Sequence, residues 1–222
     1  MMTKPQPDGE ILLIDKPLGW TSFDVVKKLR NVCKIKKIGH AGTLDPLASG
    51  LLILCTGKKT KMINQFQEQE KEYEGTFIIG KTTPSVDLET DFDSESDYSK
   101  VSEEDIQKAS KQFIGDIQQK PPIYSAVKVQ GERAYNLARS NRKAILEPRP
   151  VTIKQFELPN IEIPRVDFNV ICSKGTYIRS LVRDIGEKIG TGAYLSALRR
   201  TRIGDFSVND AHQISDFIKN QD

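Results

Sequence analysis

Cysteine and histidine are scarce in this chain of 222 residues, which has three of the former and two of the latter. Cys33, Cys55 and Cys172 lie far apart and form no C-x-x-C pair, so neither a disulfide framework nor a zinc site is predicted. His40 and His212 are too few for a histidine-rich metal site. We therefore expect no metal, and this cysteine usage suits a reducing compartment such as the cytoplasm.

Long hydrophobic runs are also missing. The longest, SGLLILC (49–55), has the length of a strand and not of a membrane span. The opening stretch MMTKPQPDGE lacks the apolar core of a signal peptide, so neither membrane insertion nor export is expected. A Walker A loop, a G-x-G-x-x-G run and a G-x-S-x-G elbow are absent as well. Among the possibilities considered, these absences leave either an enzyme that uses a carboxylate or a protein without catalytic activity.

Charge of both signs is present but unevenly distributed. Between Val25 and Leu44 the chain has six lysines or arginines and no acidic residue, and KKTK (58–61) and LRRTR (198–202) add basic clusters. The acidic residues concentrate in 86–105, and we predict a mobile surface loop from Thr82 to Lys100. A basic face on a chain of net charge +3 is typical of phosphate-binding proteins, although lysine clusters are also common on solvated surfaces.

Strand and helix patterns alternate irregularly along the chain. Apolar runs predict strands over 9–17, 51–55, 73–80, 151–158 and 166–173. Helices are predicted after Thr21, where Asp24 completes a weak capping box, after Ser102, and over 174–190. A basic helical segment is predicted around 132–143. This order favours an α+β fold, with a mixed sheet flanked by helices in one domain (1–222), over a doubly wound parallel sheet.

The stretch KIGHAGTLDPLASGLLILCTGK (37–58) carries one charge between its terminal lysines, and that charge is Asp45. Because Pro46 disfavours helical geometry at Asp45, a plain turn residue or a helix N-cap is one interpretation. Three features favour a functional loop instead. Gly39, Gly42 and Gly50 permit close approach of a ligand, the flanking segment is basic, and a buried strand follows directly.

Several motifs together point to a known family. GHAGTLDPLASGLL (39–52) resembles the catalytic motif G-H-x-G-x-L-D-P-x-A-x-G of the TruB family of tRNA pseudouridine synthases. DKPLGWTSFDVV (15–26), KEY (71–73), KPPIYSAVKVQGERAY (120–135) and CSKGTYIRSL (172–181) are similar to further family motifs. The matches follow the family's order from about Asp15 to Arg202. Ala41 stands where family members often have threonine, and both residues are small.

The resemblance implies a pseudouridine synthase fold, with a largely antiparallel central sheet flanked by helices and loops and an RNA-binding insertion at about 120–149. No C-terminal domain of the PUA type is expected. The implied activity is that of a tRNA pseudouridine(55) synthase, an isomerase that needs no cofactor or metal. It would break the C1′–N1 bond of the T-loop uridine of tRNA and rejoin C1′ to C5. The implied partner is the T-arm stem-loop of tRNA, and the implied enzyme is a cytoplasmic monomer without membrane association.

The resemblance also assigns residues. Asp45 is implied as the catalytic carboxylate, with Arg179 as the ion-pair partner that keeps it charged in an apolar pocket. Tyr73 is implied as the residue on which the extruded base stacks and as a candidate for handling the C5 proton. The substrate-contact positions implied by the resemblance are His40, Tyr73, Tyr177 and Leu198. Taken without the motifs, Tyr73 and Leu198 are more often core residues, and Arg179 a surface arginine.

The insertion is expected to act as a flap over RNA. Its cations Arg133, Arg139, Arg142 and Lys143 are predicted to meet phosphates, and the flap is predicted to order on RNA binding. Two other functions remain open at this point. A non-catalytic RNA-binding or tRNA-folding module would use the basic patches without Asp45, and a nucleoside or glycoside hydrolase would release free uracil or sugar.

Overall fold

The computed structural model describes residues 8–129, 131–140, 142 and 145–219. Its helices are α1 (Ser22–Val32), α2 (Ile63–Glu68), α3 (Glu103–Lys111), α4 (Ala134–Arg139), α5 (Ile178–Ile189) and α6 (Ile214–Lys219). Its strands are β1 (Ile11–Lys16), β2 (Ile38–His40), β3 (Ala48–Thr56), β4 (Lys71–Ile79), β5 (Lys81–Thr82), β6 (Ser94–Glu95), β7 (Gly115–Gln119), β8 (Lys128–Val129), β9 (Glu132–Arg133), β10 (Arg149–Glu162), β11 (Arg165–Cys172), β12 (Ala193–Ile203) and β13 (Phe206–Ser207). Short 3-10 turns cover Gly57–Met62 and Val208–Asp210. Lys143 lies outside the described residues.

The described residues group into two compact units. The first comprises those of Met1–Tyr73 and Leu198–Asp222, and the second comprises Glu74–Ala197. The prediction of a single catalytic domain remains a prediction.

Strand β3 is the centre of the first unit. It pairs antiparallel with β1 and with β2, and parallel with the last part of β12, where Leu198 is opposite Ala48. Every residue from Gly50 to Thr56 is buried, because β3 is flanked on both sides and covered on both faces. The predicted apolar strand over 51–55 is therefore confirmed.

Helix α1 covers one face of this part of the sheet. Its buried residues Val25, Val26 and Leu29 pack in a core cluster with Leu52 and Leu54 of β3. The helix begins with the predicted capping box, in which Thr21 and Asp24 satisfy each other's backbone N–H groups. Sequence therefore specified both the start of α1 and its buried face.

The second unit contains the strand order β4-β11-β10-β7, in which β10 pairs antiparallel with both β11 and β7. Helices α3 and α5 pack together, and α3 starts with a capping box between Ser102 and Asp105. The predicted helix over 174–190 begins only at Ile178 and ends at Ile189, followed by the C-cap Gly190, whose φ of 88° is left-handed. The residues before Ile178 are not helical, because Tyr177 is held extended as the N-cap.

The prediction of a mobile surface loop from Thr82 to Lys100 is wrong for its first part. Thr83, Ser85, Val86 and Asp87 are buried, and Val86 has a φ of 62°. The hydroxyls of Thr83 and Ser85 both donate to the carbonyl of Asp87, at 2.6 and 3.2 Å. Local hydrogen bonds and an ion pair described below fix this segment despite its polar composition.

The predicted α+β fold class is confirmed. The strand pairings described above are antiparallel except where β12 meets β3, and helices flank the sheet. Within the described residues, none of the helices combines the length and the apolar character that a membrane crossing requires.

Candidate active site

Asp45 lies in the loop between β2 and β3 of the first unit, the catalytic-loop candidate of residues 41–47. The carbonyl of Asp45 accepts a hydrogen bond from the N–H of Ala48 at 3.1 Å, which makes a turn that leads directly into β3. Gly42, at a φ of 97°, gives the loop a backbone conformation that side-chain-bearing residues rarely adopt. The loop therefore requires a glycine at position 42, whereas close approach of a ligand to its glycines remains a prediction.

The residues on either side of Asp45 are held by the segment that precedes α1. The N–H of Leu44 donates to Oγ of Ser22 at 2.9 Å, and that hydroxyl lies 3.2 Å from the Leu44 carbonyl. The carbonyl of Pro46 accepts from the N–H of Gly19 at 2.8 Å and faces Nζ of Lys16 at 3.4 Å. Asp45 thus sits between two residues whose backbones are anchored to the start of α1.

A buried guanidinium connects the start of the same loop with strand β3, which follows the loop. Arg200 on β12 is 1% exposed; its Nε donates to the carbonyl of Leu51 at 2.8 Å, and its Nη2 to the carbonyl of Gly42 at 3.3 Å. The backbone of Arg200 also lies so close to Gly50 that a Cβ there would be 2.3 Å from the Arg200 carbonyl oxygen. Sequence analysis noted Arg200 only as part of a basic cluster and missed this role.

Two buried cations therefore surround the loop. Burial lowers the pKa of Lys16 to about 8, Asp45 opposes that shift by favouring the charged amine, and Arg200 adds to it by repulsion. The opposing effect of Asp45 means that the carboxylate and the amine interact. The loop is accordingly an electropositive setting for an anion, either the Asp45 carboxylate itself or a negatively charged leaving group.

His40 lies at the end of β2, opposite Leu54 of β3, and is half-buried. Burial lowers the pKa of His40, a backbone hydrogen bond with Gly42 partly offsets the shift, and the Arg200 charge adds to it. This environment favours the neutral imidazole over the cation, so His40 is better suited to hydrogen bonding than to binding phosphate as a cation.

Arg179 lies in the second unit, in the first turn of α5, with its side chain buried. Its Nε is 3.6 Å from Oδ2 of Asp87, whose side chain is also buried. Nη1 donates to the carbonyl of Ser85 at 3.0 Å and Nη2 to that of Tyr124 at 2.8 Å. Arg179 is therefore a buried, ion-paired arginine and not a surface one. Asp87 was hidden from sequence analysis by the many acidic residues around it.

Tyr177, immediately before α5, is held by the side chain of Gln119. The N–H of Tyr177 donates to Oε1 of Gln119 at 2.8 Å, and Nε2 of Gln119 donates to the Tyr177 carbonyl at 3.1 Å. Gln119 is 2% exposed, so water does not compete for this pair of hydrogen bonds. Sequence analysis missed Gln119, because a lone glutamine beside prolines has no distinguishing pattern.

The remaining predicted residues are placed as follows. Tyr73, on β4, is 9% exposed, and Leu198, on β12, is half-buried opposite Ala48, near the end of the Asp45 loop. In the first unit, Leu198 lies near the Asp45 loop, and Gly42 of that loop contacts His40. In the second unit, Tyr177 and Arg179 both lie at the start of α5. The pairing of Asp45 with Arg179 remains a prediction. The described residues contain no group of three or more histidine, cysteine, aspartate or glutamate side chains arranged to hold a metal ion.

Comparison with known proteins identifies the family. Residues 30–178 match the model of the TruB family pseudouridylate synthase N-terminal domain, and residues 179–222 match that of the tRNA pseudouridylate synthase B C-terminal domain. A protein of Flavobacterium johnsoniae named tRNA pseudouridine synthase B is 52% identical over 217 residues, which is 95% of either chain.

Solved structures agree with the sequence matches. A chain in the crystal structure of a Cbf5–Nop10–Gar1 complex is 32% identical with a TM-score of 0.74, over 96% of this chain and 54% of that one. A chain of an H/ACA RNP bound to a substrate RNA containing 2′-deoxyuridine is 28% identical with a TM-score of 0.72, over 96% and 53%. This chain spans about half the length of those two. The predicted pseudouridine synthase fold is confirmed, and the chain belongs to the TruB family of pseudouridylate synthases.

Proposed function

We propose that this enzyme isomerises the T-loop uridine of tRNA to pseudouridine, with Asp45 as the catalytic carboxylate. The relative of 52% identity that is named tRNA pseudouridine synthase B supports tRNA as the substrate. The observation that carries the proposal is the placement of Asp45. It stands at the aspartate of the family motif, on a loop whose backbone is fixed by three buried side chains and is surrounded by positive charge.

The reaction conserves atoms and needs no redox step. The C1′–N1 bond breaks, uracil leaves with the electron pair and turns, and C5 bonds to C1′. C5 then loses its proton, and N1 gains one. A carboxylate beside the sugar can attack C1′, stabilise an oxocarbenium-like centre or remove the C2′ proton. All three modes require an ionised Asp45 next to the extruded nucleoside.

Arg179 pairs with Asp45 in the proposed site. A guanidinium has five N–H donors in a planar fork, so one arginine can bind two carboxylates at once, and Asp87 is one carboxylate already beside it. The buried Asp87 also explains how Arg179 is held in place before a substrate binds. Its charge then keeps Asp45 ionised when the pocket excludes water.

The extruded uracil lies on the ring of Tyr73, whose hydroxyl is a candidate to take the C5 proton, since a flipped base needs an aromatic surface. His40, Tyr177 and Leu198 complete the pocket. The two hydrogen bonds between the Gln119 side chain and the backbone of Tyr177 support a fixed backbone position from which that ring extends. The lowered pKa of His40, which favours the neutral imidazole, supports a hydrogen-bonding contact with RNA.

The segment of about 120–149 acts as a flap over the RNA. The Lys120 carbonyl accepts from Ser180 Oγ at 2.8 Å and from Arg183 Nη2 at 3.0 Å, so the base of the flap is attached to α5. Farther along, Arg139 forms an exposed ion pair of 2.7 Å with Glu89. Exposed pairs of this kind are weak, so a phosphate can replace Glu89 as the partner of Arg139.

Asp45→Asn tests the catalytic assignment. The variant should bind tRNA as the wild type does and lose tritium release from 5-tritiated uridine in tRNA. Asp91→Asn, at an exposed position, is the matched control and should keep the wild-type rate. An undiminished rate for Asp45→Asn would contradict the proposal. Binding without any turnover by the wild type would favour an RNA-binding module, and free uracil would favour a hydrolase.

Mapping the modified nucleotide after incubation of tRNA with the purified protein tests the T-loop assignment. Removing the part of the flap that follows Tyr124, so that the carbonyls bound by Arg179 and α5 are kept, should abolish modification of tRNA while the rest of the chain folds. A shortened protein with full activity would contradict the flap assignment. The proposed enzyme acts as a cytoplasmic monomer, which sedimentation and fractionation experiments check.

A further inference from the structure

An exposed apolar pair borders the Asp45 loop. Leu18 is 64% exposed and Phe23 is 61% exposed, although both are large hydrophobic residues. Their neighbours attach directly to the loop, through Gly19 N–H to the Pro46 carbonyl at 2.8 Å and Ser22 Oγ to the Leu44 N–H at 2.9 Å. The fold thus displays two apolar side chains to solvent one residue away from the contacts that fix Asp45.

A row of cations continues from Phe23 along the exposed face of α1. Lys27 and Arg30 follow Phe23 at helical spacing, and Lys34 comes directly after the helix; all three are exposed. Phe23 and Arg30 are about 10 Å apart along the helix axis. The three cations form no salt bridge in the part of the chain that the structure describes, although the exposed carboxylate of Asp24 is close enough to Lys27 to interact with it electrostatically. We call Leu18, Phe23, Lys27, Arg30 and Lys34 the α1 surface.

This combination has the chemistry of a site for single-stranded nucleic acid. Bases of any sequence stack on an exposed aromatic ring, and a row of cations follows the phosphate backbone. A protein partner would require a larger apolar area than two side chains, and a membrane would require an apolar helix face, whereas α1 buries its apolar face in the core. The position beside the Asp45 loop favours the RNA whose nucleotide enters the site.

We propose that the α1 surface binds the substrate RNA outside the extruded uridine. A base near that nucleotide stacks on Phe23 beside Leu18, and the following phosphates contact Lys27, Arg30 and Lys34. The inference deepens the proposed function and rests on it for the identity of the RNA as tRNA.

The first test removes charge from the α1 surface. The triple variant Lys27→Gln/Arg30→Gln/Lys34→Gln is compared with Lys100→Gln/Lys108→Gln/Lys111→Gln, which removes the same charge from exposed positions in the second unit. The dissociation constant for unmodified tRNA is measured by filter binding from low to physiological salt. The α1 triple variant should bind tRNA at least tenfold more weakly at low salt. The slope of the logarithm of its binding constant against the logarithm of the salt concentration should be smaller in magnitude by about two to three. In the control variant, the dissociation constant and the salt slope should both change much less.

The second test separates stacking from charge. Phe23→Ala should weaken tRNA binding by about fivefold or more, the lower end of what one base on an aromatic ring contributes, and Phe23→Trp should restore it. Because Phe23 is exposed, neither change should shift the melting temperature by more than about 2 °C.

Equal losses in the two triple variants, or unchanged tRNA binding by the α1 variants, would overturn the inference. If the α1 variants lost binding to anionic vesicles that the wild type binds and still bound tRNA normally, the α1 surface would be a membrane-binding surface and the inference would be overturned. These outcomes are distinct from failure of the proposed function, which would appear as a wild-type protein that binds tRNA and forms no pseudouridine.

Discussion

The buried ion pair between Arg179 and Asp87 gives the most quantitative prediction. Asp87→Asn removes the negative charge and keeps the shape, and the amide oxygen can still accept the hydrogen bond that Glu89 N–H gives to Oδ1 at 3.0 Å. At the 3.6 Å between Nε and Oδ2, Coulomb's law with an effective dielectric constant of about 20 gives an attraction of about 4–5 kcal/mol. Removing one partner of other buried pairs destabilises proteins by about 3–5 kcal/mol.

Urea unfolding followed by circular dichroism at pH 7 measures this loss. Asp87→Asn should lower the free energy of unfolding by about 3–5 kcal/mol with an unchanged denaturant slope. Asp91→Asn, exposed in the same segment, is the control and should stay within about 0.5 kcal/mol of the wild type. A loss below about 1 kcal/mol for Asp87→Asn would refute the view that Asp87 compensates the buried charge of Arg179.

The same measurement, extended to a double-mutant cycle, tests whether Asp45 also pairs with Arg179. If both carboxylates share one guanidinium, the double variant Asp45→Asn/Asp87→Asn should lose more stability than the two single variants together, because nothing then compensates the buried cation. Distant, independent sites add within about 0.5 kcal/mol. Strict additivity would therefore count against the shared pair.

Three further predictions concern the backbone contacts around the site. Gly50→Ala should unfold at markedly lower urea concentration than Gly115→Ala, because both have a left-handed φ but only the Cβ at Gly50 collides with backbone, whereas nothing lies within 4 Å at Gly115. The pKa of Lys16 is about 8 in the folded protein and 10.5 in the unfolded chain. Between pH 8 and 10.5 the unfolded chain therefore binds more protons at Lys16 than the folded protein does. The unfolding free energy of the wild type should therefore rise relative to Lys16→Met by up to about 1.4 kcal/mol per pH unit from pH 8 to 10.5; a flat difference would contradict the assigned burial. Gln119→Ala should lower the unfolding free energy by about 1–2 kcal/mol and kcat/KM for tRNA with it, because the buried hydrogen bonds between Gln119 and Tyr177 are lost. The Tyr177 carbonyl still accepts from the N–H of Leu181 at 3.1 Å, and Gln119→Glu, which keeps an acceptor for the Tyr177 N–H, should retain more of both quantities.

Local signals in the sequence specify much of the fold. The capping box at Thr21 and the apolar run of β3 depend on neighbours close in the chain, and both predictions are confirmed. The start of α5 and the burial of Asp87 were mispredicted. Each is decided by a partner far away in sequence, Gln119 in one case and Arg179 in the other.

The residues of the candidate site also divide into those that a local sequence signal identifies and those whose roles depend on partners far away in sequence. Asp45 could be singled out because its charge is isolated and its motif is specific. Lys16 and Arg200 could not, because a lysine or arginine read from one sequence looks solvated, and only the tertiary structure shows that carbonyl groups replace the water around them. Buried cations of this kind are predictable only once the packing of their strands is known.

The hydrogen bonds of Arg200 to Gly42 and Leu51 join positions 158 and 149 residues apart in the chain. During synthesis, the ribosome completes the Asp45 loop long before it adds the arginine that connects this loop to β3. A nascent or prematurely terminated polypeptide that lacks Arg200 therefore contains Asp45 without the contacts that hold its loop. Cellular RNA is exposed to the chemistry of this protein only after its last long strand has been made and docked.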